Sequence, residues 1–162
     1  MISLKNKQKG FTIIELLIVI VVIGILAGIV ITTYSGIQAK ARNAVRQTDI
    51  QSIQTQLEAY YSQNGHYPSN ADLSSATWRA TNMPSLDTNA LIDPSSGQTI
   101  SNVTIADNST GQAKEYSYYP VDSTGSSANC EASDTTCAAY TLTATYEGTI
   151  NGQTTYVKKN LD

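Results

Sequence analysis

The residue in this chain of 162 with the most unusual setting for its chemistry is Glu15. It is the only charge in FTIIELLIVIVVIGILAGIVI, residues 11–31. A carboxylate in so apolar a run is costly unless a cation or several hydrogen bonds meet it. Cys130 and Cys137, with six residues between them, are the second candidate. Zinc would need further Cys or His ligands, and His66 is the sole histidine. Outside the cytoplasm the pair reads as a disulfide; the alternative is two buried thiols. Asp122, Glu131 and Asp134 near the cysteines are calcium candidates, but without EF-hand spacing they read more simply as solvated loop acids. No nucleophile elbow, phosphate-binding glycine loop or metal cluster stands out, so neither catalysis nor a cofactor is expected.

The element that must carry Glu15 is a helix. Twenty-one residues at 1.5 Å each span about 30 Å, the hydrocarbon thickness of a bilayer. A removable secretory signal fits poorly, because the run is too long and the only Ala-x-Ala is the lysine-containing AKA at residues 39–41. A plain anchor with Lys5, Lys7 and Lys9 on the cytoplasmic side explains everything except Glu15. Cleavage between Gly10 and Phe11 explains that as well. It gives Phe11 a free amine, positive at neutral pH, which can neutralise Glu15 of a neighbouring copy in a packed bundle. It also removes all three leader lysines.

The stretch KGFTIIELLIVIVVIGILAGI resembles the processing and assembly signature of type IV pilins and pseudopilins. The shared parts are a short basic leader ending in Gly10, an aromatic Phe11, a hydroxyl and two aliphatics, then Glu15. The resemblance implies cleavage after Gly10 by a prepilin peptidase, N-methylation of Phe11, and pairing of Glu15 with a neighbour's amine. It further implies self-polymerisation, an assembly platform protein and an assembly ATPase as partners. Localisation would be the inner membrane for the precursor and the cell surface for the assembled filament. One departure is the lack of a proline in GIVITTYSG, residues 28–36. Gly24, Gly28 and Gly36 each weaken a helix by about 1 kcal/mol relative to alanine. Residues 24–36 are therefore expected to lose helical hydrogen bonds when subunits pack. Gly24 and Gly28 also make a small-xxx-small pattern suited to close helix contact.

Beyond the membrane run, Ile37, Ala41, Ala44, Val45, Thr48, Ile50, Ile53, Leu57 and Tyr60 recur at helical spacing, forming an apolar stripe that needs a sheet. Gly65 and Pro68 end the helix near residue 63. Residues 64–112 read as a structured loop with a short helix near 71–78 and a strand near 99–105. Residues 115–121 and 139–148 read as strands, the second alternating Tyr140, Leu142, Ala144 and Tyr146 on one face. Asn151–Gly152 predicts a tight hairpin into QTTYVKK. The tyrosines at strand spacing are expected to be packing residues rather than stacking platforms.

The expected fold is α+β and pilin-like: a long N-terminal helix, half transmembrane and half amphipathic, packed on a small antiparallel β-sheet. Residues 1–10 form a cleaved leader, 11–35 the filament-core helix, 36–63 the amphipathic helix, and 64–162 the globular head. The head holds four bases against ten acids, so direct nucleic-acid binding is not expected. A structural subunit of a type IV pilus is the first expectation, towards which the cysteine pair leans. A core pseudopilin of a type II secretion system, which LEAYYSQNGHYPSNADL also resembles, or a DNA-uptake pilin are the alternatives.

Overall fold

The computed structural model describes residues 10–99, 104–127, 130–131 and 135–161, the side chain of Thr32 excepted. Contacts divide the chain into two units, Met1–Gln38 and Ala39–Asp162. Helix α1 (Ile13–Asn64) contributes residues to both.

In the first unit every large apolar side chain from Phe11 to Ile31 is exposed. Helical hydrogen bonding is unbroken over residues 24–36 in this isolated chain. Thr33 returns its hydroxyl to the carbonyl of Ile29 at 3.1 Å. A methyl group added at Gly24, Gly28 or Gly36 would meet nothing within 4 Å. Among the described residues no packing requires these glycines.

The second unit contains residues 39–64 of α1, α2 (Asn70–Ser74), α3 (Ala76–Asn82), a 3-10 turn (Thr88–Leu91) and strands β1 (Ser117–Asp122), β2 (Cys137–Ile150) and β3 (Gln153–Lys159). The strands form an antiparallel sheet in the order β1-β2-β3. The helix stops where glycine allows it. Gly65 adopts φ 76°, and its N–H reaches the carbonyl of Tyr61 at 2.7 Å. Asn151 and Gly152, at φ 52° and 78°, turn β2 into β3 as the Asn-Gly pair predicts. Where one short helix is expected near 71–78 there are two. Ser69 caps the first in a reciprocal capping box with Asp72, and Ser75 caps the second. Of the strand expected at 99–105, residues 100–103 lie outside the described residues; a bridge pairs Ala106 with Ser117.

Tyr140, Leu142, Ala144 and Tyr146 are all buried, and Ile50, Ile53, Leu57 and Tyr60 of α1 join the same core. The opposite face of β2 is covered too. Thr143 is fully buried there because Gly111, at φ 86°, lets the preceding loop approach so closely that a Cβ would lie 2.7 Å from the Thr143 methyl.

The expected apolar stripe departs from the structure at its start. Ile37, Ala41, Ala44, Val45 and Thr48 are exposed, and the buried positions are Asn43, Arg46, Ile50, Ile53, Gln54, Leu57 and Tyr60. Polar side chains take the first two places because partners on other elements satisfy them, as described below.

Candidate processing and assembly site

Gly10 and Phe11 precede α1 in exposed chain, and Phe11 is 88 % exposed. Helix α1 begins with a capping box. The Thr12 hydroxyl accepts from the Glu15 N–H at 3.3 Å, while Glu15 Oε2 accepts from the Thr12 N–H at 2.8 Å and from its hydroxyl at 2.7 Å. Glu15 thus has a partner in its own chain, a contact that the T-x-x-E spacing of Thr12 and Glu15 spells out. Among the described residues Oε1 takes no hydrogen bond, so the carboxylate can cap its own helix and still accept from a second donor. The nitrogen of Phe11 is a peptide nitrogen here; the amine that could be this donor exists only after the preceding bond is cut.

A second cluster lies wholly in the second unit. Arg46 is 1 % exposed and forks onto Asp93, with Nε to Oδ2 at 2.7 Å and Nη2 to Oδ1 at 2.9 Å. Its remaining donors reach Asn43 at 2.7 Å, Ser95 at 2.8 Å and Glu147 at 2.9 Å. Arg42 pairs with both oxygens of Glu147. Asn43 brackets the same residue by donating to its carbonyl at 3.1 Å and accepting from its N–H at 3.0 Å. The network fastens α1 to the hairpin end of β2 and to the loop at Asp93. Hydrogen bonds from Arg42, then Arg46, hold the Glu147 carboxyl down at about 2. Burial pushes Asp93 up, but its hydrogen bonds from Arg46 and Ser95 outweigh that and leave it lowered. Partners 47 to 105 residues apart leave no local pattern to read.

The buried tyrosines are packing residues with satisfied hydroxyls. Tyr116 donates to Asp49 at 2.6 Å, Tyr118 to the Pro68 carbonyl at 2.7 Å, and Tyr67 and Tyr140 to Glu58 at 2.9 and 2.8 Å. His66 packs edge-on against Tyr60, with ring centres 5.6 Å apart. Cys130 and Cys137, both buried, are joined by a disulfide with Cα atoms 5.3 Å apart. Of the calcium candidates, Asp134 lies outside the described residues. Asp122 already accepts three hydrogen bonds from Thr124 and Ser126. No group of three potential metal ligands occurs among the described residues.

Residues 5–31 match the family described as "Prokaryotic N-terminal methylation motif". The type II secretion system core protein G of Escherichia coli (strain K12) is 34% identical over 84 residues, covering 52% of this chain and 58% of that protein. Its counterpart in Dickeya chrysanthemi is 35% identical over 65 residues, covering 40% of this chain and 42% of that protein. The type IV major pilin protein PilA of Myxococcus xanthus is 34% identical over 61 residues, covering 38% of this chain and 28% of that protein. The chain spans about half the length of the secretion proteins it matches. No solved structure matches it significantly. On a pilin-like α+β fold, this chain carries the prokaryotic N-terminal methylation motif and is a relative of type II secretion core proteins G and of a type IV major pilin.

Proposed function

We propose that this chain is a filament subunit of the pseudopilin kind, made as a membrane-inserted precursor and polymerised through its apolar helix. One observation carries the reading: the methylation motif runs into a helix long and apolar enough to cross a membrane, whose large apolar residues up to Ile31 are all exposed in the single chain. Such a surface is stable only in lipid or against other copies. In this reading a prepilin peptidase cuts after Gly10, Phe11 is N-methylated, and residues 11–35 form the filament core. Residues 36–63 brace the head, residues 64–162. A platform membrane protein and an assembly ATPase drive extraction from the membrane. The role in this reading is structural.

The order of the two functional readings is reversed from that of the sequence alone. The relatives are mostly type II secretion core proteins G, which favours a short secretion pseudopilus over a surface pilus. The match to PilA keeps the pilus as the second reading. Deleting the chain and assaying the culture medium together with the cell surface separates them. Loss of released proteins from cells that lack long surface fibres supports the secretion reading. Long surface fibres that vanish on deletion, with protein release unchanged, would replace it with the pilus reading.

A further inference from the structure

Arg79 on α3 is the counterpart of Arg46 without its acids. It is 5 % exposed, and among the described residues it forms no ion pair. One donor, Nη1, reaches the carbonyl of Leu73 at 2.6 Å, while Nε is buried with no hydrogen-bond partner. A guanidinium does not give up its proton at any physiological pH, so among the described residues the Leu73 carbonyl offsets only part of the cost of burying this charge. Arg79 borders a recess of about 270 Å³ walled by Ala76, Ala80, Met83, Pro84, Leu86 and Thr88, with no acid in its lining. A guanidinium with donors to spare in the wall of an open recess is suited to a carboxylate, which desolvates little else on entering.

We propose that this recess binds a carboxylate, and that in the assembled polymer an acidic side chain of a second copy supplies it. The second-copy source rests on the filament reading above. The charge balance favours it: residues 62–162 hold ten acids against four bases, so each head offers many carboxylates and few cations to receive them. Asp107 and Glu131 are exposed and have no ion-pair partner among the described residues.

Two arms test the site and its occupant separately. In the first, the detergent-solubilised full chain is titrated with acetate while the Arg79 Nε–H resonance is followed by NMR. A saturable shift that chloride at equal ionic strength does not reproduce is expected; identical responses to the two salts overturn the site. In the second, polymer made from Arg79→Lys is treated with a carbodiimide, which condenses an amine and a carboxylate into an amide with loss of water. Mass spectrometry is expected to find the amine introduced at position 79 linked to an Asp or Glu of another chain. Polymer yield of Arg79→Gln should fall roughly tenfold or more, with Arg79→Lys partly restoring it. A saturable acetate site whose substituted amine links to no second chain overturns the second-copy source alone. Wild-type chain that never polymerises overturns the filament reading, and the second-copy source with it, while the acetate result still stands by itself.

Discussion

Removing Asp93 should expose how much the head depends on one buried ion pair. In Asp93→Ala, Arg46 loses the acceptor of Nε and one of those around Nη2 while staying almost fully buried. Breaking such a pair from one side costs about 3–5 kcal/mol, because the remaining charge is left without its counter-ion. Glu147 and Asn43 still meet part of the guanidinium, which argues for the lower half of that range. The second unit has 124 residues, and unfolding entropy near 60 °C is about 2.1 cal/mol/K per residue. A loss of about 3.5 kcal/mol then lowers the melting temperature by on the order of 13 °C. Thermal unfolding of the detergent-solubilised chain, followed by near-UV circular dichroism of its many tyrosines, reads this out. The double variant Arg46→Met/Asp93→Leu is the decisive companion. Replacing both charges by apolar groups should recover about 2 kcal/mol or more relative to the single change, since no charge is left stranded. A single variant that melts within about 3 °C of wild type, or a double variant no better than the sum of its singles, would refute the claim that pairing at this site outweighs packing.

Lowering the pH should weaken the same network from the Glu147 side. Its folded pKa of about 2 lies below the ordinary value of 4.5, so its contribution is complete above about pH 5 and is lost as pH falls towards 2. Asp93, also lowered, acts in the same direction, while Asp49, raised by burial, opposes them. Melting curves across that window should therefore fall steeply for wild type and less so for Glu147→Gln; parallel curves would contradict this. Alanine at Gly24 and Gly28 should raise the helix propensity by about 1 kcal/mol per site while reducing polymer yield, as measured by sedimentation. Unchanged yield would mean that those glycines make no close contact between copies. Reducing the Cys130–Cys137 disulfide should make the loop between them protease-sensitive while leaving helical circular dichroism unchanged, and equal cleavage with and without reductant would count against a constraining role.

What the sequence revealed was whatever neighbours along the chain determine. Gly65 and Pro68 mark the end of α1, Asn151–Gly152 marks the hairpin, and the two-residue period from Tyr140 to Tyr146 identifies the buried face of β2. The capping box at Thr12 and Glu15 is equally local: a hydroxyl residue followed three positions on by Glu at a helix start is enough to announce it. The Arg46 network was hidden for a different reason. Helical periodicity counts apolar residues, so it assigned the stripe to Ala41, Ala44 and Val45, whereas Asn43 and Arg46 are buried because Asp93 and Glu147 reach them from distant segments. Long-range pairing of charges has no period to detect. Arg79 was passed over in the same way, since burial of an arginine on a seven-residue helix depends on how the chain folds back over it.

The central claim is that cutting after Gly10 creates the amine that meets Glu15 of another copy. Intact-mass spectrometry of the purified polymer tests it most directly. The account predicts a chain that begins at Phe11 and is one methyl group heavier than its sequence. Subunits that retain residues 1–10 within the polymer would contradict it.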